Sequence, residues 1–368
     1  MPETKDVVVV GGGVIGAACA RELARAGWRV SLLDPDTSRG QAWQAAAGML
    51  APQIEAREGD ALLELGLAGR ELYAELAPSL LESTGIDIGF WREGIANVAL
   101  HEADVSSLRA KVAWQRQQGH LCDWLDAAEV KARWPWVGQV YGALWAAQEA
   151  ALDPQSLVRA LRADAGKHGA QLVRDEAVAL ETRGDRVLAV EGRAQRYPTE
   201  QVVLAAGAWS ATLAGLPRPV AVEPVRGEMV ALPWPQGLAR AILYSRDCYL
   251  LPRGGETIAG STMEYAGFDP STTTEGLKRI LEAVTGLCPP LTRLEVRRSW
   301  AGLRPMTPDG LPILGPEPKL RGLWYAAGHG RNGVLLAAIT AVVLQRMMSG
   351  QQPAENLNPL RPERFWSW

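Results

Sequence analysis

The stretch Gly11-x-Gly13-x-x-Gly16, set between an apolar run and a helical repeat, limits what this chain can fold into more than any other feature. The run Asp6–Val10 is short, largely apolar and closed by glycines, as a buried parallel strand is. Over 14–26, small or apolar residues recur at helical spacing (Ile15, Ala18, Cys19, Leu23), and Gly27 stands where the helix stops. Residues 28–33 form a second apolar strand ending at Asp34. The pattern predicts a βαβ unit. Gly11 makes the tight turn, Gly13 lets backbone approach a pyrophosphate, and Gly16 lets the helix lie close on the sheet. Asp34 stands at the spacing from which a carboxylate holds a ribose 2′-OH. Together these residues point to an adenine dinucleotide. An acid in place of an arginine disfavours a 2′-phosphate. The fingerprint by itself does not separate NAD from FAD.

The rest of the chain mixes helices with strands of both kinds. Residues 61–84 read as one or two amphipathic helices, 90–100 as a strand pair, and 105–118 as a charged surface helix. Asp153 caps, and Pro154 opens, a helix reaching His168. Gln171–Val173, 177–181, 186–191 and 195–197 read as a small antiparallel meander. An apolar strand spans 202–205, and strands alternate with turns from 220 to 262. A helix at 275–285 and a strand at 294–300 follow. Leu323–Ala327 leads through Gly328-His329-Gly330 into an apolar helix over 334–348. Parallel-type strands at both ends predict an α/β fold class. It comprises a discontinuous Rossmann-like, dinucleotide-binding domain (1–85, 150–220 and 300–368) and an inserted α+β substrate domain on an antiparallel sheet (86–149 and 221–299).

Composition removes other classes. A chain of 368 residues that is 47% hydrophobic and 21% charged is globular, not disordered or fibrous. A net charge of -3 offers no basic face for nucleic acid or anionic lipid. The four cysteines are far apart, with no CxxC, so a disulfide scaffold or zinc cluster is not indicated. They read as reduced thiols of a cytoplasmic protein, and no metal is expected. The N-terminal apolar run and the small residues after it imitate a signal peptide, but the glycines break the run and helical patterning continues. The longest later apolar stretch, 333–344, is shorter than the roughly 20 residues a bilayer needs, so no membrane span is expected.

Three later features favour FAD. The strand at 202–205 ends in small residues that let backbone approach a cofactor. The loop 45–51 (Ala-Ala-Ala-Gly-Met-Leu-Ala) suits the passage of a flat ring. The stretch 328–333 (Gly-His-Gly-Arg-Asn-Gly) opens a helix whose positive end would stabilise negative charge on a reduced flavin.

With these motifs in place, the chain resembles the FAD-dependent amine oxidases of the D-amino-acid oxidase superfamily, most of all the glycine oxidases of thiamine biosynthesis. The matching stretches are Gly-Gly-Gly-Val-Ile-Gly (11–16), Ala-Ala-Ala-Gly-Met-Leu (45–50), Cys-Tyr-Leu-Leu-Pro-Arg (248–253), Gly-Ser-Thr-Met (260–263), Trp-Ala-Gly-Leu-Arg-Pro (300–305) and Gly-His-Gly-Arg-Asn-Gly-Val-Leu-Leu (328–336). They run in the same order over nearly the whole chain. The last two are the more specific.

The resemblance implies non-covalent FAD, since no cysteine lies near 312–328 to link it. It implies oxidation of glycine or a small N-substituted glycine by hydride transfer to flavin, giving 2-oxo acid, ammonia or amine, and hydrogen peroxide. Sarcosine, iminodiacetate or a D-amino acid is the alternative substrate, and an oxygen-independent dehydrogenase the alternative chemistry. Arg304 would grip the substrate carboxylate, Tyr249 would donate to it, Arg331 would lie beside it, and Met263 would wall the pocket. Around the cofactor the resemblance places Gly11, Gly13, Val14, Ile15, Gly16 and Asp34, with Val178 on the adenine side. Ala46, Ala47, Gly48 and Met49 would pass the ring, with Ala206, Gly207 and Trp209 nearby. Gly302, Arg304, His329, Gly330, Arg331, Asn332, Gly333 and Val334 would meet the isoalloxazine. Without the motif, Arg304 would read as a solvated charge and Met263 as filler. Two departures stand out: Gly330 where a bulky residue is expected, and Ser245-Arg246-Asp247 where a histidine is expected. Both would alter the entrance. Expected partners are a small amino acid, oxygen, a thiazole synthase and further copies of the chain.

Overall fold

Side-chain alternation along the first strand sets the layers. Val7 and Val9 pack with Ile15, Leu23, Leu157 and Leu336, which lie on three helices. Val8 and Val10 pack with Leu180, Val187 and Tyr197 on the other side. The structure, a computed structural model, describes residues 6–36 and 40–366. The parts of the expected domains at 1–5, 37–39 and 367–368 lie outside the described residues.

The central sheet has six strands in the order Ile313–Pro316, Leu323–Ala327, Val202–Leu204, Asp6–Val10, Arg29–Leu33 and Gln171–Val173. All neighbours are parallel except the edge strand Ile313–Pro316. Helices Val14–Arg25, Pro154–Lys167 and Gly333–Met348 cover one face, and Leu63–Thr84 packs on the last of them. An antiparallel meander of Ala177–Arg183, Arg186–Gly192 and Arg196–Pro198 covers the other. A side chain such as Leu336, fully buried between these layers, contributes roughly 1.5–3 kcal/mol relative to exposure.

The second sheet has eight strands, in the order Arg298–Met306, Glu223–Pro233, Glu256–Gly260, Tyr249–Arg253, Ile242–Tyr244, Ile95–Ala99, Gly142–Ala146 and Asp123–Leu125. One pair, Ile242–Tyr244 with Ile95–Ala99, is parallel. Alternation again sorts the faces. Val230, Leu250 and Ala259 pack with Ile280 and Val284 of helix Thr274–Leu287. Met229, Tyr249, Leu251 and Ile258 face Ala47, Ala51 and Ile54, and so look towards the first body.

Several expectations need correction. Gln171–Val173 joins the parallel sheet beside Arg29–Leu33 and not the meander, because the helix before it returns the chain to that edge. Residues 90–100 give one strand, Ile95–Ala99. The strand expected at 294–300 begins at Arg298 and runs to Met306; Pro305 is tolerated because this is an edge strand. The domain boundary expected at 300 falls inside that strand. Residues 61–84 form one helix, Leu63–Thr84, despite Pro78. The strands Asp123–Leu125, Gly142–Ala146 and Ile313–Pro316 carry too little alternation to be read from sequence. Cys19, Cys122, Cys248 and Cys288 are all buried and free. Among the described residues, no helix is long and apolar enough to cross a membrane.

Candidate active site

Two adjoining clefts, of about 1170 and 870 Å³, run between the layers and share Val14, Ala42, Trp43, Gly330 and Gly333 as walls. The larger starts at the glycine turn. Gly11 has φ +99°, and a Cβ there would meet the Ala205 carbonyl oxygen at 2.5 Å. A Cβ on Gly16 would stand 1.7 Å from the Gly11 oxygen, so the helix lies directly on the turn and Gly16 lines no cleft. Asp34 is buried at the cleft wall. Its Oδ2 accepts from the Gly12 amide (2.9 Å) and from Arg162 Nη2 (2.7 Å), and its Oδ1 from the Asp36 amide (2.8 Å). Ile15, Ala206, Gly207, Trp209 and His329 line the same cleft. His329 Nε2 lies 3.1 Å from the Thr340 hydroxyl, and burial depresses its pKa to about 3. The ring is neutral and held by the last helix, which makes it a poor base.

The smaller cleft lies where the two sheets meet. Its floor is the loop expected to pass a flat ring: Ala45, Ala46, Ala47, Gly48 and Met49 line it. Arg253 donates to the carbonyls of Ala47 and Leu152, and Trp300 Nε1 donates to the Ala45 carbonyl at 3.2 Å, so the second sheet holds this loop. Gly302 must lack a side chain, since its Cβ would stand 2.5 Å from that of Ala45. Arg331, Asn332, Gly333 and Val334 bring the N-terminal end of the last helix to the opposite wall.

Two arginines enter this cleft with opposite circumstances. Arg331 Nη2 donates to Glu55 (3.1 Å) and lies 2.9 Å from the Tyr244 hydroxyl; the Glu55 charge raises its pKa. Arg304 donates to the Thr262 carbonyl (3.1 Å) and the Ser261 hydroxyl (2.7 Å), and among the described residues no carboxylate pairs with it. Burial lowers its pKa, as expected for a cation without a counter-ion. A Cβ on Gly227 would come within 2.1 Å of the guanidinium, so that glycine makes room for it. The Tyr249 hydroxyl makes a weak bond to Met229 Sδ (3.1 Å) and also meets the Ser261 side chain, and burial pushes its pKa up to about 12. It is a neutral donor close to an unpaired cation.

The structure brings most of the sequence-predicted residues into one groove and leaves Gly16, Met263 and Val178 out of it. Met263 is 48% exposed and lines neither cleft. It lies past Ser261, where the chain has turned outward. Val178 also lines neither cleft; Glu176 and Ala177 take the wall expected of it, because Val178 is bound through its carbonyl to the Ala214 amide. Of the two departures, Gly330 leaves no hole: a Cβ there would lie 2.9 Å from Met306 Sδ, so Met306 fills the space. Arg246 and Asp247 are exposed and pair with Asp104 and His101, away from the cleft. Sequence reasoning missed Trp43, Glu55, Arg162, Gly227, Met229, Tyr244 and Ser261. Ser261 stands in the Gly-Ser-Thr-Met stretch, while Glu55, Arg162 and Tyr244 carry no local signal, since partners distant in sequence bring them to the site.

The groove fits a bound flavin dinucleotide. Its adenosine end has the glycine turn and a buried acid, its middle is walled by glycine and alanine backbone, and its far end has a helix N-terminus and a small cationic cleft. The fold and site thus define a flavin-dependent oxidoreductase. The family model described as FAD dependent oxidoreductase (DAO) matches residues 6–347, and the chain belongs to that family. A glycine oxidase of Geobacillus kaustophilus is 35% identical over 98% of this chain and 97% of its own length. The crystal structure of glycine oxidase from Geobacillus kaustophilus superposes with TM-score 0.93, covering 99% of this chain and 100% of that one, at 32% identity. The bifunctional protein ThiO/ThiG of Trichormus variabilis is 33% identical over 98% of this chain, which spans 55% of that protein. The structure of iminodiacetate oxidase from Chelativorans superposes at TM-score 0.88 and 25% identity, covering 97% of this chain and 98% of that one.

Proposed function

We propose that this FAD-dependent oxidoreductase oxidises glycine or a small N-substituted glycine with oxygen as acceptor, giving a 2-oxo acid, ammonia or amine, and hydrogen peroxide. The observation that carries the reading is Arg304: a half-buried guanidinium with hydrogen-bond donors to spare and, among the described residues, no acidic partner, at the end of the small cleft. A planar fork of this kind matches a carboxylate. Tyr249 turns its hydroxyl from the Met229 sulfur to the same carboxylate, and the two fix the substrate's orientation. FAD, when bound, supplies the two-electron acceptor for the Cα–H bond. Arg331 stays on Glu55 and Tyr244 and closes one wall of the cleft. Among the described residues, no unpaired carboxylate or imidazole lines the cleft near Arg304, so the amine would give up its proton to water before reacting. The protein's part is positioning and electrostatics. The six-stranded body would hold the cofactor and the eight-stranded sheet the substrate.

The same geometry ranks the alternatives. Iminodiacetate has two carboxylates, and the second would have to displace Glu55 from Arg331. Of the described arginines that line the cleft, Arg304 alone has no acidic partner, which favours glycine and sarcosine. The glycine oxidase and ThiO/ThiG relatives support this choice, and the ThiO/ThiG fusion supports a thiazole synthase as partner in thiamine biosynthesis. Peroxide release from purified protein on glycine, sarcosine, iminodiacetate and D-alanine tests the reading. Turnover of glycine or sarcosine with stoichiometric peroxide is expected. Turnover with a dye but not with oxygen would make the protein a dehydrogenase, and iminodiacetate as the preferred substrate would overturn the ranking.

A further inference from the structure

Arg162 projects from helix Pro154–Lys167 into the back of the glycine turn, over a sequence separation of 150 residues from Gly12. Its Nε donates to the Gly12 carbonyl at 2.9 Å and its Nη2 to Asp34 Oδ2 at 2.7 Å. Its guanidinium carbon lies 5.7 Å from the centre of the Trp43 ring. Trp43 in turn leans on the turn, 3.2 Å from where a Gly13 Cβ would be, with its Nε1 donating to Gln41 at 2.6 Å. One side chain therefore ties together the turn, the acid after the second strand and the loop that leads into the smaller cleft. Arg162 lines neither cleft, so it has no route to the cofactor except through these partners.

The arrangement answers a physical problem. Asp34 is 4% exposed, and a buried carboxylate without a cation is costly. Arg162 is the cation that forms an ion pair with it among the described residues. Asp34 Oδ2 is fully used by Gly12 and Arg162, while Oδ1 accepts only the Asp36 amide and keeps a lone pair free. The pair thus fixes the carboxylate rotamer and leaves one oxygen to receive a hydroxyl. Pinning the Gly12 carbonyl at the same time fixes the peptide plane between Gly12 and Gly13, whose N–H points away from Arg162.

We propose that Arg162 is a cofactor-positioning residue, which holds Asp34 and the glycine turn in the form that receives the adenosine half of FAD. The inference depends on the dinucleotide groove and is independent of which amine is oxidised. It is tested by titrating apoprotein with FAD and, separately, with ADP as a probe of the adenosine half, following flavin and tryptophan fluorescence. Arg162→Met is expected to weaken both ligands by about tenfold to a hundredfold, the size of a lost charge-assisted contact. Arg162→Lys keeps the charge without the fork and should fall between. In an Asp34→Asn background, Arg162→Met should cost clearly less than in the parent, because the part that passes through the carboxylate is already lost and only the hold on the Gly12 carbonyl remains. Unchanged affinity for FAD and ADP, or a full additional loss in the Asp34→Asn background, would overturn the proposal. Should Arg162→Met fail to fold, the same cycle run with Arg162→Lys decides it, since that variant retains the burial and the charge.

Discussion

Replacing Arg304 by methionine separates substrate recognition from folding. The guanidinium has five N–H donors and uses two of them, on Thr262 and Ser261. Three remain for a carboxylate, enough for a two-bond fork. Each charge-assisted bond contributes about 1.5–3 kcal/mol. Losing two amounts to about 3–6 kcal/mol, or about a 10²- to 10⁴-fold fall in kcat/KM at roughly 1.36 kcal/mol per tenfold. Most of the fall should appear in KM, because the carboxylate is held in ground and transition states alike. The fold itself should not suffer. Among the described residues Arg304 has no counter-ion, and methionine removes a half-buried, uncompensated charge while filling much of the same space. The assay pairs peroxide release across a glycine series with the flavin absorbance spectrum and a thermal melt. A variant that keeps its flavin and melts no earlier than the parent, with KM raised at least a hundredfold, is expected. A kcat/KM for glycine within tenfold of the parent would refute the carboxylate assignment.

The remaining predictions concern the cofactor turn and pH. Gly11→Ala should abolish soluble folded protein, because it forces a Cβ to 2.5 Å from the Ala205 oxygen at positive φ; Gly13→Ala meets only Trp43 at 3.2 Å, so it should fold and lose mainly FAD affinity, read by fluorescence titration. His329, held near pKa 3 against 6.5 when unfolded, takes up its proton only on unfolding; stability should therefore decline as pH falls from 6.5 towards 3, and His329→Gln should flatten that limb in pH-dependent melts. Glu149 behaves in the opposite sense. Burial, only partly offset by Arg70, raises its carboxyl to about 8 from 4.5, so stability should decline as pH rises from 4.5 to 8, and Glu149→Gln should remove that slope of at most about 1.4 kcal/mol per pH unit.

The first βαβ unit was legible because its signals are local. Asp6–Val10, the glycines, Val14–Arg25 and Asp34 carry their periodicity and turn chemistry within one short stretch. The same holds for Asp153, whose side chain accepts from the Gln155 amide as a cap should. The eight-stranded sheet was less legible, since strands such as Gly142–Ala146 are buried on both faces and show no alternation. Arg304 and Tyr249 were found through motif resemblance and not through any pattern of their own. Glu55 and Arg162 were invisible because their roles come from partners brought together only by the fold. Met263 shows the converse: a motif residue adjacent in sequence to the site whose side chain the backbone turns to solvent.

Strand Arg298–Met306 joins the two halves of the molecule. The Leu303 amide donates to the Gly40 carbonyl (2.8 Å), and the Pro305 carbonyl accepts from Gly330 (2.9 Å). Trp300, Gly302 and Arg304 share one side of it, at two-residue intervals. Inserting or deleting a single amino acid there would invert every side chain beyond the change, and would take the Gly302 wall and the Arg304 guanidinium out of the smaller cleft together. Evolution or engineering of new substrate choice on this scaffold must therefore proceed by swapping residues within a ribbon of unvarying length, while the surface loops are left to absorb changes in size.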